Sequence, residues 1–444
     1  MIPVNIAIKN NEQNKLKRIV RSNLLSLTLA SVTILVYLLS LNKLFCYALS
    51  ICFIIYLLTT DTSTIFYAFC YIFVANELLI IETSSISIII LLLFSFKTLT
   101  RVLTRRHVSI NLVLFFTSLI FVVYCVLCIV IVSKEQFVNA LKMLLYLLFA
   151  VELFKDNKQN LINLYKYGYI FIALGIAFTG LLSFFINGFP DLDVRYTFSD
   201  KITINQIAII SSLCVVNLTY CLIKFNDFKM SLWAVLVSFC IFFGLLTQSR
   251  SFILGTGLGI ALLIIFTGSK KRNFYLCSFI LFAVVVGLVV SYIFPNAFDR
   301  VVVAWERIIN SSNGDISNGR YILWDQTIQS MNTNVIYKFF GAGDFKLVQA
   351  VFDDQVLMAH NMFIETWVLF GYIGSGLVLV IYLICIKDYI FIGKINSFSI
   401  TAMVPIIVLV CLLFFSHHFI GKTMSLFFLI NFIPLANSKK ESVL

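Results

Sequence analysis

The run from Ile110 to Val132, INLVLFFTSLIFVVYCVLCIVIV, holds 23 residues without a charge, a Gly or a Pro. As a helix rising 1.5 Å per residue it reaches about 35 Å, enough to cross a hydrocarbon core of about 30 Å. Arg105 and Arg106 precede it and Lys134 follows, as expected where a span leaves lipid. Outward from this run the same pattern recurs, with apolar stretches at 24–41, 44–58, 63–81, 86–96, 137–154, 168–187, 202–223, 231–247, 251–267, 274–293, 360–386, 400–416 and 423–436. The stretches 44–58, 86–96 and 423–436 are short for a full crossing, so the pattern predicts an all-α polytopic membrane protein with about 12–14 transmembrane helices. Composition agrees: of 444 residues 60% are hydrophobic and only 12% charged, with mean hydropathy +0.98. That balance excludes a soluble enzyme, a coiled coil or a disordered chain, and leaves residues 1–444 as a single integral membrane domain.

The net charge of +12 is spread in short clusters between apolar runs, which is a topological signal and not a nucleic-acid footprint. With the N-terminus inside and fourteen crossings, 21 of the 33 basic residues, Lys166 among them, fall in inner loops. Both termini are then cytoplasmic, with tails at 1–23 and 437–444, and no small-residue cleavage pattern precedes the first span. The outer side receives a loop at 188–201, the turn Gln248-Ser249-Arg250-Ser251, and one large loop at 294–359. All three carry Arg. Within the large loop, Ser317 or Asn318 is placed to cap a short amphipathic helix from Gly319 to about Met331, with Tyr321, Trp324, Ile328 and Met331 on one face. Arg300, Trp305 and Arg307 suit the interfacial zone. The eleven Cys lie mostly inside apolar runs and read as small buried hydrophobes, with no metal site expected.

Several side chains stand where chemistry can be done. Arg250 joins two apolar runs with almost no loop, so its guanidinium either snorkels as a helix-end residue or grips an anion, a role that its planar fork suits. His360, one of four His, marks where the large loop re-enters lipid. Its imidazole either plays a structural part or takes a proton from a hydroxyl. Asn361 follows directly, and Glu365 lies one and a half turns on, too far round for a simple pair with His360. Asp191, Asp193 and Arg195 form a solvated turn or a polar site on the smaller outer loop, with Arg195 the stronger candidate. Glu77 stands within a span, and His417 and His418 at the end of another. The chain has no Walker sequence, no GxSxG and no HExxH, so activation must arrive with the substrate.

Taken in order, Thr247-Gln248-Ser249-Arg250-Ser251, then Gly319-Arg320-Tyr321-Ile322-Leu323-Trp324 with Gly341-Ala342-Gly343, then His360-Asn361 leading to Glu365 and Phe370-Gly371-Tyr372-Ile373-Gly374, resemble the O-antigen polymerase and O-antigen ligase superfamily of bacterial membrane proteins. The likeness runs from about Arg195 to Gly374. It implies a fold akin to the C-type membrane glycosyltransferases, placed in the inner membrane. It also implies metal-independent, cofactor-free, inverting glycosyl transfer on the periplasmic face from a polyprenyl-pyrophosphate-linked oligosaccharide. The family's His matches His360 as general base. Its Arg positions match Arg250, Arg320 and Arg195 as pyrophosphate ligands, with Asn361 and Glu365 as supporting residues. Gln248 departs from the family, where a shorter residue is common. Partners implied are the lipid-linked glycan, membrane lipid and a chain-length regulator protein, with no nucleic acid. A polymerase is favoured on composition over a ligase acting on lipid A core, and a lipid-linked oligosaccharide flippase is the rival outside enzymes.

Overall fold

The computed structural model describes residues 23–76, 78–81, 84–104, 111–132, 134–158, 160–188, 196–199, 202–225, 229–267, 320–344, 361–391, 399–414 and 424–436, with scattered positions at 274, 288, 292, 299, 302–303, 306, 348, 351–352, 355–356 and 359. The expectations placed on most of the run 274–293, on the caps Ser317 and Asn318, and on Glu77, Asp191, Asp193, Arg195, Arg300, Trp305, Arg307, His360, His417 and His418 lie outside the described residues.

The described chain is almost wholly helical. In order the helices are α1 (Asn23–Leu38), α2 (Lys43–Thr59), α3 (Thr62–Ile72), α4 (Ile86–Thr104), α5 (Leu112–Ile131), α6 (Lys134–Asp156), α7 (Leu161–Asn187), α8 (Ile204–Lys224), α9 (Met230–Leu246), α10 (Arg250–Ile265), α11 (Arg320–Thr333), α12 (Val335–Phe340), α13 (Met362–Cys385, continued by a π-helical turn to Phe391), α14 (Ile400–Phe414), α15 (Met424–Ile430) and α16 (Ile433–Ala436). Among the described residues the strands are two-residue antiparallel pairs, Ile80–Ile81 with Ser84–Ser85 and Val351–Phe352 with Gln355–Val356. Among the described residues, five stretches are long and apolar enough to cross a membrane: Leu112–Ile129, Gln136–Asp156, Leu161–Asn187, Ile204–Lys224 and Met362–Phe391. Shorter apolar helices accompany them, so the all-α polytopic architecture read from the sequence stands.

The chain divides into two compact units, Met1–Leu93 with Ile162–Ala304, and Phe94–Leu161 with Trp305–Leu444. In the first, α8 is the interior helix: every residue from Gln206 to Ile223 is buried, and α9 and α10 pack on it. A helix enclosed on all sides must satisfy its polar groups within the protein. Asn217 does so by donating its amide to the Leu213 carbonyl at 2.7 Å while its own carbonyl accepts the Tyr165 hydroxyl. Thr219 accepts the Trp233 indole N–H at 3.2 Å. On α7, Gly175 passes the α3 backbone so closely that a Cβ there would sit 2.0 Å from the Tyr71 carbonyl oxygen. Gly175→Ala is therefore expected to destabilise this unit by about 1–3 kcal/mol through overpacking. A thermal melt of the purified protein reads it; an unshifted midpoint would contradict the close approach.

In the second unit, α13 packs on α5 and α12 while α6 packs on α5 and α15. The helix formed by the run 110–132, α5, is two-sided: Phe121, Tyr124, Cys125 and Cys128 are buried, whereas Leu119, Val123, Val126 and Leu127 are 46–59% exposed. Spacings of three and four put the first set on one stripe, and the exposed set is what lipid solvates. Cys125 and Cys128 form a CxxC spacing, and both thiols are free and lie on the buried stripe.

One expectation is corrected. Lys166, assigned to an inner loop, lies inside α7 at 5% exposure, with Nζ 5.1 Å from the Tyr167 ring centroid, because α7 begins at Leu161 and not at residue 168. On α11, the side that packs on protein differs from the apolar face formed by Tyr321, Trp324, Ile328 and Met331. Its buried residues are Leu323, Thr327 and Met331, whereas Tyr321 is 61% and Ile328 37% exposed. Thr327 can be enclosed because its hydroxyl donates to the Leu323 carbonyl at 2.6 Å, and Met331 joins Ala342, Val348 and Val368 in a small core.

Candidate functional site

In the first unit the candidate residue is Arg250, and its position follows from how α9 ends. Thr247 closes α9 by donating its hydroxyl to the Gly244 carbonyl at 2.5 Å and accepts the Ser249 N–H at 3.3 Å. Between them Gln248 adopts φ +48°, a left-handed conformation that costs a side chain strain and reverses the chain in one residue. Thr247, Gln248 and Ser249 are buried at 0, 1 and 6% exposure, so the turn is packed into the protein and not laid over its surface. Arg250 is then the first residue of α10, and the first turn of that helix holds no acid. Its cationic fork adds to the positive end of the helix dipole, which suits an anion.

The segment after Arg195 is tied to the same turn. The Tyr196 N–H donates to the carbonyl of Leu246, the last residue of α9, at 3.1 Å. The Tyr196 hydroxyl donates to Ser183 Oγ at 3.0 Å, and Ser183 donates to the Phe198 carbonyl at 2.7 Å. Burial pushes the Tyr196 phenol above its ordinary range, while the Ser183 hydrogen bond acts in the opposite direction. Phe198 packs edge-on to Phe243, whose ring fills the space a side chain at Gly180 would need. Arg195 lies outside the described residues; its chain neighbour Tyr196 is held at Leu246, just before the chain reverses at Gln248.

The second unit holds the other described candidates. Arg320 opens α11, and one turn later the Trp324 indole N–H donates to the Ala359 carbonyl at 2.6 Å. Asn361 is the N-cap of α13: its side-chain oxygen accepts from Phe363 N at 3.0 Å and Ile364 N at 3.3 Å. Ala359 and Asn361, the neighbours of His360 on either side, are each 2% exposed. Glu365, in the first turn of α13, is 6% exposed and its N–H donates to the Asn361 carbonyl at 2.9 Å. The structure thus brings the helix of Arg320 to the segment that enters α13, and gives Asn361 a capping role in addition to its expected supporting one.

The remaining sequence signatures meet at a backbone junction. Gly371 interrupts α13 with φ +60° and ψ −172°, and the break releases carbonyls from the helical ladder. Val368 O accepts Ala342 N at 2.7 Å and Gly343 N at 3.2 Å, and Thr366 O accepts Ser375 Oγ at 3.1 Å. Gly341, at φ +86°, lies directly against the break: a Cβ on it would come 2.4 Å from the Leu369 oxygen. Sequence reasoning named Gly341-Ala342-Gly343 and Phe370-Gly371-Tyr372 as separate pieces and missed that each is the other's docking surface. It also missed Tyr124, Gln136 and Trp367. The Tyr124 hydroxyl contacts the Phe340 and Phe370 carbonyls at 3.0 and 2.6 Å, Gln136 Nε2 donates to Phe340 O at 3.0 Å, and Trp367 Nε1 donates to Lys338 O at 3.0 Å. A phenol in the middle of a charge-free span was the available signal, since its O–H needs a partner away from water.

Residues 234–381, a third of the chain, match the family described as O-antigen ligase. Arg250, Arg320, His360, Asn361 and Glu365 fall within the match, whereas Arg195 lies before it. No curated protein and no solved structure matches the chain. Over residues 234–381, this multi-pass membrane protein is similar to the O-antigen ligase family.

Proposed function

We propose that the protein polymerises O-antigen repeat units by inverting glycosyl transfer from a polyprenyl-pyrophosphate-linked donor on the periplasmic face of the inner membrane. In this reading both termini are cytoplasmic and the segments 188–201 and 294–359 are periplasmic. His360 takes the proton of the acceptor hydroxyl as that oxygen attacks the anomeric carbon. The carbon–oxygen bond to the pyrophosphate breaks with its electron pair, and the leaving group carries the charge. Arg250, Arg320 and Arg195 hold the pyrophosphate. A planar guanidinium matches phosphate oxygens two at a time, and fixed cations stabilise charge as it develops. Asn361 fixes the start of α13 by its cap, and a chain-length regulator protein is the expected partner.

The observation that carries this reading is that one continuous family match takes in Arg250, Arg320 and His360 together. The matched family, O-antigen ligase, favours a second reading in which the acceptor is lipid A core. The surface glycan of a deletion strain separates the two. Single repeat units on lipid A core indicate the polymerase, and bare core with polymer retained on the carrier lipid indicates the ligase. Arg250→Lys is expected to lower transfer at least about tenfold at unchanged protein level, because an ammonium keeps the charge and loses the fork. Wild-type glycan lengths in that variant would remove Arg250 from the pyrophosphate site.

A further inference from the structure

We infer that Tyr124 is a positioning residue for the transfer reaction, acting through the backbone junction that sets the course of α13. This rests on the proposed role of His360. Tyr124 lies on α5, well before the matched region 234–381, yet its hydroxyl contacts two carbonyls inside it, Phe370 O at 2.6 Å and Phe340 O at 3.0 Å. Phe370 O belongs to the break in α13, and Phe340 O closes α12 just before Gly341. One hydroxyl thus spans the two stretches of backbone that Gly341 and Gly371 bring into contact.

The surroundings make this a fixed point. Gln136 Nε2, from α6, donates to the same Phe340 carbonyl at 3.0 Å, and the Tyr124 ring stacks on the Phe340 ring at 6.2 Å between centroids. A Cβ on Gly374 would come 2.7 Å from the Tyr124 ring, so the ring packs directly against that glycine. The part of α13 before the break, Met362 to Phe370, carries Glu365 and begins at the Asn361 cap, directly after His360. Its direction relative to the rest of the helix is set where Gly371 leaves helical geometry and the regular ladder is interrupted. Tyr124 and Gln136 supply hydrogen bonds at that interruption. A side chain aimed from the start of such a segment shifts with it, and small misplacements of a general base cost rate without altering how strongly substrate binds.

The test is Tyr124→Phe in the full-length protein, reconstituted in lipid and assayed with the lipid-linked glycan extracted from a strain deleted for this gene. The ring and its packing are kept and only the hydroxyl is removed. The expected result is a kcat about tenfold lower with KM within twofold, and faster amide hydrogen exchange at Ala342 and Gly343, whose N–H groups bond to Val368 O. Phe121→Leu, on the same stripe of α5 and in edge contact with Phe370, perturbs packing without touching the hydroxyl and is expected to leave kcat within twofold. Unchanged kcat in Tyr124→Phe, unchanged exchange at 342 and 343, or an equal loss in Phe121→Leu would each overturn the inference. His360→Ala, run alongside, isolates the reading beneath it: full transfer in that variant defeats the role of His360, whereas its inactivity beside a fully active Tyr124→Phe defeats the positioning role alone.

Discussion

His360→Ala is expected to abolish chain extension while the protein remains in the membrane at its normal level. A general base contributes about 10²- to 10⁴-fold to a transfer of this kind, and an alanine offers nothing to take the acceptor proton. Folding is expected to survive, because what holds this point of the chain comes from its neighbours. Ala359 accepts the Trp324 indole N–H, and Asn361 caps α13 through its own side chain. Neither bond involves the imidazole. The measurement is the glycan ladder of cells carrying the variant, set against an immunoblot of their membranes. Wild-type lengths at normal abundance would end the proposal that His360 performs the proton transfer.

The second large effect is expected at Gly371, where a single methyl group meets backbone on the facing segment. At φ +60° and ψ −172° the residue occupies a region that is essentially closed to side chains. A Cβ there would stand 2.3 Å from the Phe339 carbonyl oxygen and 2.4 Å from Gly341 N, neither of which can swing aside as a side chain does. Strain of about 1–3 kcal/mol for the backbone and a similar amount for overpacking give Gly371→Ala a loss of about 2–6 kcal/mol. Such a loss is a large share of the stability of an ordinary domain. Gly376→Ala, five residues on in the same helix, is the control: nothing lies within 4 Å of its Cβ, and alanine favours a helix. Melting midpoints of the two purified variants decide the matter. A Gly371→Ala protein that melts with the parent and makes polymer of parental length would mean that the two glycine-bearing segments do not dock in this way.

Much of this architecture was readable from the chain because lipid imposes one-dimensional rules. The run 110–132 became α5 at Leu112–Ile131 to within two residues, and the stretches at 202–223, 231–247 and 251–267 became α8, α9 and α10 with similar precision. The sequence misled where polarity ceased to track depth. Lys166 carries a charge and was read as loop, yet its ammonium lies near an aromatic face inside a helix. On α11 the amphipathic spacing marked Tyr321 and Ile328 as apolar, but did not show that Leu323 and Thr327 are the residues enclosed by protein. Bulk in a membrane protein does not say which side is protein and which is lipid.

The candidate site divides along the same line. Its candidates were named from the sequence: a fork-shaped cation at the abrupt join of two spans, an imidazole at the re-entry of a loop, and the glycine-bearing motifs at 341–343 and 371–374. Their supports were not. Nothing in the spacing of Tyr124 and Gly371, 247 positions apart in the chain, foretells that a phenol would bridge the carbonyls of Phe340 and Phe370.

By itself the amino-acid order determined that this protein is a bundle of membrane helices and which side chains carry charge where helices meet, since the cost of placing polar groups in hydrocarbon acts residue by residue. Only the tertiary structure decided which carbonyls the break in α13 exposes and which donors from α5, α6 and the 341–343 segment satisfy them. Hydrogen bonding away from water is a condition on pairs of groups, and pairing is settled by packing in three dimensions.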